Sequence, residues 1–464
     1  MGIEGATEAG NAIRRSNMNK LKAAGIAVLA LGAAAAAFSD RDEALEAFVR
    51  RVKERAVPLA TVDPEAGGEG LEVLKDVVGD ASIVCLGESQ HLMREQYRLK
   101  HRVVQYLVEE MGFTHIAIED SLYGTIAIDD FIKGADTSPE EALQKTGGWY
   151  LWDTEEMLAL VRWLRSHNDG VANNRKVSYV GLDIQDPWPG IGFLTGYFDR
   201  VDPAYASSLE ARGQVFDIFH KSIWFQISAG YSGLGPSQKQ AIEDTLREAV
   251  GRLEARRAEY VDEAGEKAYG DAVLVAGHLL KSHECFLELE QAKDGDVGLR
   301  EKTMFADVVR IKEASGPGTR IVVWVHNAHA AKSPVRFLNT GRPEEVRLEL
   351  MGTMLERKYG DDVRSIGMAS LGMKNEGQDF QGQSDVLDHV LSGAGKDLFF
   401  LDLAGMKGRD GEEDLLAAPW KLTADMGGFL SLVPADAYDG LFFIKYVTGV
   451  RRSPEGTRRF SALF

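Results

Sequence analysis

Short apolar, β-branched runs recur along this chain, each closing in a polar loop. They are "ASIVCL" (Ala81 to Leu86), "THIAIE" (Thr114 to Glu119), "VSYVGL" (Val177 to Leu182) and "RIVVWV" (Arg320 to Val325), followed by "RSIGMAS", "DLFFLDL" and "GLFFIKYV". Runs of this length and composition read as strands buried on both faces. Helical patterns fill the gaps. "EQYRLKHRVVQYLVEEMG" sets Leu99, Val103, Tyr106 and Leu107 on one face and closes on Gly112, a suitable residue just past a helix end. "TEEMLALVRWLRSHNDG" repeats the pattern before the third strand. Strand alternating with helix predicts an α/β fold, a mostly parallel sheet flanked by helices.

The middle of the chain breaks the alternation. From about Ala204 to Glu313 there is almost no strand signal, and "SQKQAIEDTLREAVGRLEARRAEYVDEAGEKAYGDAVLVAGHLLKSHECFLELEQ" reads as long amphipathic helices with a solvated charged face. The expected organisation is a first part of the α/β core over 41–203, a helical insertion over 204–313 that caps the C-terminal edge of the strands, and a second part of the core over 314–464. Residues 1–40 stand apart. "IRRSNMNKLK" precedes an uninterrupted apolar run from Ala23 to Phe38, a basic-then-apolar pattern of the signal-peptide kind and short for a membrane span. If it is a signal peptide, the protein is exported, periplasmic or secreted, with no stable membrane insertion after processing. If it is an Ala-rich helix packed on the domain, the protein is cytoplasmic.

In an open parallel sheet every strand delivers its following loop to one edge, where ligands bind. Strand one is followed by Glu88 and His91, in "LGESQH", and strand two ends on Glu119. Strand three is followed by Asp183, Gln185 and Trp188, in "LDIQDPWPG", and "RIVVWV" by His326, Asn327 and His329, in "VHNAH". Taken one at a time, each has a bland reading: a loop histidine bonded to backbone, a capping aspartate, a salt-bridge partner. Together, these acids and three of the ten histidines on one edge are costly to bury without a network or a purpose.

Other chemistries lack their signatures. No GxSxG elbow, Walker loop or GxGxxG stands at a strand–helix junction, and the histidine spacing is not HExxH. No cofactor is therefore expected, although His91, His326, His329 and Glu119 are residue types that zinc accepts. The formal net charge of −18, from 53 basic and 71 acidic residues, repels phosphate backbones, so no nucleic-acid partner is expected. Two cysteines, Cys85 and Cys285, make no disulfide framework, and a single bridge between them stays open.

The pieces "LGESQHLMREQYRLKHRVVQYLVEEMGF", "IAIED", "YLWDTEEMLALVRWLRSHN", "GLDIQ", "REKTMFADVV", "VVWVHNAHAAK" and "MGTMLERKYGDD", in this order, resemble the erythromycin esterase family. The resemblance covers most of the chain from about Val57 to Tyr446. It implies a parallel α/β core with helices over the active edge, and hydrolysis, best known in the family as opening the lactone of macrolide antibiotics. By position, His91 falls on the family's proposed general base, and Glu88 on the same catalytic segment. Glu119 matches the acid ending the second strand, His326 and His329 the paired histidines of the late segment, and Lys100 a basic position. Here His91 is followed by Leu92, where many members have Gly. The same loop recurs in distant relatives that bind haem or act as metal-dependent peptidases.

The expected chemistry is ester or lactone hydrolysis of a small molecule by water that His91 deprotonates, with no acyl-enzyme. Glu88 or Glu119 would orient the imidazole, and His326, His329 and Lys100 would offer donors to the oxyanion. Asp183, Gln185, Trp188 and Asn327 would contact substrate. A metal-dependent hydrolase using the same cluster, and a haem- or ligand-binding protein of the same fold, are the alternatives.

Overall fold

Buried strands obey a period of two, and the sheet's two faces show it. Ile83 and Cys85 pack into one core cluster with Ile321, Val323 and Ala369, while Val84 and Leu86 pack into a second with Val322, Trp324 and Ile366. A strand covered on both sides has no polar position to spare, which is why these runs are apolar throughout. The computed structural model describes residues 43–146, 149–220, 224–291, 298–338, 347–375, 378–379, 386–406, 415–425 and 428–461. The N-terminal segment with the signal-peptide pattern lies outside the described residues.

The described strands, in chain order, are β1 (Val57–Pro58), β2 (Ile83–Leu86), β3 (His115–Ser121), β4 (Ser178–Asp183), β5 (Ile321–Trp324), β6 (Arg336–Leu338), β7 (Val363–Asn375), β8 (Gln378–Asp379), β9 (Leu398–Asp402), β10 (Trp420–Thr423), β11 (Phe429–Leu432) and β12 (Gly440–Val447). The main sheet runs β1-β9-β12-β7-β2-β5-β3-β4, with β8 on the far end of β7. From β12 to β4 every pairing is parallel, while β9 and β1 add antiparallel strands at the other side. The fold is thus α/β with a mostly parallel sheet flanked by helices. The chain passes from β2 to β3 leaving one slot between them, and β5 fills that slot some 200 residues later.

The helices used below are α1 (Arg94–Met111), α2 (Leu122–Ile132), α3 (Glu155–Gly170), α4 (Trp188–Val201), α5 (Glu266–Gln291), α6 (Gly298–Ala314) and α7 (Asn327–Ala330). α1 ends where Gly112 takes a left-handed φ of 71° and returns its N–H to Leu107 O. Thr154 starts α3 by accepting the Met157 N–H. Between β4 and β5 every described element is helical, and these helices build a third core from Phe198, Tyr205, Phe219, Tyr231, Tyr260 and Phe286. Each such side chain, fully buried, contributes roughly 1.5–3 kcal/mol, so this unit holds itself together while α6 leans back on β4.

Two features go beyond the sequence reading. A second, antiparallel sheet of order β10-β11-β6 stands beside the main one, built from strands of three or four residues, too short for a periodicity signal. The cysteines are both free and buried, so no Cys85–Cys285 bridge exists. Among the described residues no helix is long and apolar enough to cross a membrane.

Candidate active site

Four neighbouring strands, β2, β5, β3 and β4, end side by side, and each brings polar residues to that edge. β2 is followed by Glu88 and His91, β5 by His326 and His329, while Glu119 and Asp183 sit at the ends of β3 and β4. The parallel register aligns them: Leu86 faces Trp324, and Trp324 faces Ile118. The residues predicted from strand exits therefore meet at one place.

Gly87 opens the turn after β2 because nothing larger fits. A Cβ there would lie 2.2 Å from Asn327 Oδ1. Asn327 is itself fully buried, its amide clamped to the backbone of β7: Oδ1 accepts the Met368 N–H at 3.0 Å and Nδ2 donates to Met368 O at 2.7 Å. Its N–H donates to Glu88 O at 2.8 Å. This asparagine locks two loops together, and its amide is fully engaged there.

Glu88 is completely buried. One carboxylate oxygen meets His91 Nδ1 at 2.6 Å, and the other accepts from Lys100 Nζ at 2.8 Å and from Trp324 Nε1 at 3.2 Å. Burial favours the neutral acid, but Lys100 and His91 together outweigh it and hold Glu88 below its ordinary range. Lys100 lies behind Glu88, with no exposed surface, bonded also to Val325 O and set 4.6 Å over the Trp324 ring. Burial brings it down to about 8 against the pull of Glu88. That position, sealed behind the carboxylate, keeps Lys100 away from any oxyanion. His91 keeps Nε2 open, and its side chain is 18% exposed. Burial works against the imidazolium, yet Asp425, Glu119 and Glu88 outweigh it and push His91 up to about 9. Trp152, buried and stacked on Tyr97, turns an edge to the His91 ring at 6.1 Å between centroids. The next residue, Leu92, adopts a left-handed φ of 63°. Such a conformation suits glycine.

The second half of the site is closed. His329 Nδ1 lies 2.9 Å from Glu301 and Nε2 lies 3.1 Å from Glu119 Oε1. Burial disfavours its charge, but the two acids outweigh burial and raise it to about 10. Arg300 reaches in from α6. Its Nε and Nη2 take both oxygens of Asp183 at 2.9 and 2.7 Å, and Nη2 also donates to Glu119 Oε1 at 2.7 Å. Glu119 Oε2 accepts the His326 N–H at 2.8 Å. Although burial opposes ionisation, His329, His91 and Arg300 hold Glu119 well below the usual carboxylate range. His326 starts the short α7. Its Nδ1 accepts the Ala328 N–H at 3.2 Å, which puts the ring proton on Nε2, facing Ser89 O at 3.0 Å. Burial, with charge on His91 and His329, keeps His326 below its ordinary value and hence neutral.

Asp183 also accepts the Ile184 and Gln185 N–H groups, and Gln185 O accepts from Tyr123 OH. Trp188, half-buried at the start of α4, lines a cleft of about 660 Å³ with Tyr123, Phe193, Phe219 and Asp186. Sequence reasoning missed three residues here. Arg300 and Glu301 sit in the quoted segment "REKTMFADVV", adjacent charges in a helix rich in them. Asp425 comes from the turn between β10 and β11, and no strand-exit rule reaches it. Among the described residues no group of three or more His, Cys, Asp or Glu side chains is arranged to hold a metal ion. Hydrogen bonds already occupy both nitrogens of His326 and of His329.

A sequence model of the erythromycin esterase family matches residues 108–447. Erythromycin esterase type II of Escherichia coli is 24% identical over 336 residues, 70% of this chain and 77% of the enzyme. A solved structure described as a succinoglycan biosynthesis protein superposes with a TM-score of 0.70 at 21% identity, covering 88% of this chain and 98% of that one. A mutant of the erythromycin esterase EreC in its open conformation gives a TM-score of 0.61 at 16% identity, covering 85% and 97%.

Proposed function

This chain belongs to the erythromycin esterase family, and on that premise we propose that it is a carboxylic ester hydrolase that opens ester or lactone bonds with water activated by His91. The observation that carries the mechanism is the asymmetry of the His91 ring. Its Nδ1 is held by buried Glu88 at 2.6 Å, while among the described residues Nε2 has no partner within hydrogen-bond distance and faces the partly exposed Asp425. A hydrolytic base needs that arrangement: one nitrogen fixed so that the other is aimed.

In the reaction, neutral His91 takes a proton from water as the water oxygen attacks the ester carbonyl carbon. The imidazolium so formed is stabilised by Glu88 and Glu119, and it then returns the proton to the departing alkoxide. Lys100 keeps Glu88 ionised and in place. The oxyanion requires donors on the far side of the carbonyl, and the cationic His329–Arg300 pair beside Glu119 supplies positive potential there. The cleft beside Trp188 and Asp186 gives the apolar body of a substrate, a macrolide-sized lactone among them, somewhere to sit. Trp188 lines that cleft, and Gln185 O holds the hydroxyl of Tyr123, which lines it too.

His91→Ala tests this reading. A positioned general base contributes about 10²–10⁴-fold. A folded His91→Ala protein should lose at least that much kcat on any ester the parent hydrolyses; near-parental rates would remove His91 from the mechanism.

A further inference from the structure

The turn between β10 and β11 belongs to the small antiparallel sheet, yet it ends against the His91 loop. Ala424 and Gly428 close it, with Gly428 N–H also donating to Asp425 O at 3.0 Å. Two bonds tie it to the loop after β2: the His91 N–H donates to Asp425 Oδ1 at 2.8 Å, and Gln90 Nε2 donates to Ala424 O at 3.3 Å. A third anchor lies deeper. Asp388, fully buried, accepts the Ser370 N–H of β7 at 2.8 Å and the Thr423 N–H of β10 at 3.0 Å, which fixes the root of the turn to the main sheet.

With Oδ1 committed to the His91 backbone, Oδ2 points across the ring. It lies 3.7 Å from His91 Nε2 and 3.5 Å from His326 Nε2, while Glu119 Oε1 lies 3.8 Å from the same His91 nitrogen. These separations are too long for direct hydrogen bonds. An oxygen atom set to the side of this pair can lie about 2.8 Å from both His91 Nε2 and Asp425 Oδ2. The exposures differ as well: the Glu88 and Glu119 side chains are 0% and 4% exposed, and that of Asp425 is 34%. Of the acids around His91, Asp425 is therefore the one that solvent reaches.

We propose that Asp425 is a catalytic residue of this site, holding the attacking water jointly with His91 Nε2. This deepens the hydrolase reading and rests on it. The water donates one hydrogen to Asp425 Oδ2 and the other to His91 Nε2, which leaves an oxygen lone pair aimed outward at the ester carbonyl carbon. On attack the new C–O bond forms and the proton shared with His91 moves to Nε2. The tetrahedral intermediate then expels the alkoxide, which takes that proton from His91. The hydrogen held by Asp425 stays on the product acid, from which it is lost to solvent. The His326 Nε2–H, turned to Ser89 O, does not compete for the water.

Asp425 also acts on the charge of His91. The titratable groups around that ring are Glu88, Glu119, Asp425 and His326, with Tyr97 and Lys100 behind them. After burial, which lowers it, Asp425 is the largest influence, and it favours the imidazolium. Removing its charge should thus move the His91 midpoint downward.

The test uses the full chain with Asp425→Asn, which keeps an oxygen for the His91 N–H and removes the charge, and with Asp425→Glu. The His91 titration is followed by NMR without substrate, and kcat and KM are measured against pH with para-nitrophenyl acetate. Asp425→Asn should lower kcat about ten- to a hundredfold with little change in KM. It should shift both the His91 midpoint and the rising limb of the pH profile to lower pH, and Asp425→Glu should restore part of the rate. Parental kcat in Asp425→Asn would overturn the proposal, as would an unmoved His91 midpoint. If the parent hydrolyses no ester, the hydrolase reading falls and takes the water-holding role with it. The NMR arm then decides the Asp425–His91 contact alone.

Discussion

The site holds two imidazoles, each set between carboxylates and each pushed well above the ordinary histidine value, and the two are built for opposite tasks. His329 has both nitrogens engaged, by Glu301 on one side and Glu119 on the other, with Arg300 crowding the same Glu119 oxygen. His91 has one nitrogen engaged by Glu88 and one facing loose contacts of 3.7 and 3.8 Å at the exposed rim. A proton on His329 is locked into a buried network and serves as fixed positive charge. A proton on His91 can leave. Residue type and even the direction of the pKa shift are shared; in the mechanism proposed above, the count of occupied nitrogens is what separates a fixed charge from a reacting group.

The contrast can be broken from either side. The largest stability effect should come from the fixed half. Arg300→Met leaves Asp183 buried without its cation and Glu119 with His329 alone, and breaking such a pair costs about 3–5 kcal/mol, measurable by urea unfolding. His329→Gln should lower kcat about tenfold or more through lost positive potential, while leaving the pH of the rising limb close to parental. If it moved the limb as far as changes around His91 do, the division of labour would be wrong. Linkage gives a third check. His329 and His91 titrate at about 10 and about 9 in the folded chain, above the 6.5 of an ordinary histidine. A raised folded value stabilises fully below pH 6.5, and that contribution disappears as pH rises through 9 and 10. Unfolding free energy should decline across that window, and less so in His329→Gln.

Smaller changes probe the scaffold of the reacting half. Gly87→Ala drives a methyl into Asn327 Oδ1 and should cost roughly 1–3 kcal/mol, with activity falling as the β2 and β5 loops separate. Leu92→Gly relieves a left-handed leucine, a gain that the added freedom of the unfolded chain offsets. Its net effect on stability should stay within about 1 kcal/mol.

Much of this was legible in the chain itself. Buried strands announce themselves by apolar runs, and a parallel sheet then dictates where their exits gather, so Glu88, His91, Glu119, Asp183, His326 and His329 could be placed together before any coordinates. Their roles were less legible. Lys100, expected as a donor to the oxyanion, is sealed behind Glu88, and Asn327, expected to contact substrate, clamps backbone, because burial and partner count are properties of packing. Arg300 and Asp425 were invisible for another reason. One arrives from a helix full of charges and the other from a hairpin of a short-stranded sheet, and neither element carries a periodicity that fixes its position against the edge.

The pH dependence of kcat/KM on an activated ester, followed from pH 6 to 10 in the parent and in His91→Ala, bears most directly on the open nitrogen of His91. Because the base must be neutral to accept a proton, kcat/KM should rise about tenfold per unit at low pH and level off near the His91 value of about 9, with the residual His91→Ala rate lacking that limb. A profile already flat at neutral pH, or the same limb persisting in His91→Ala, would contradict it.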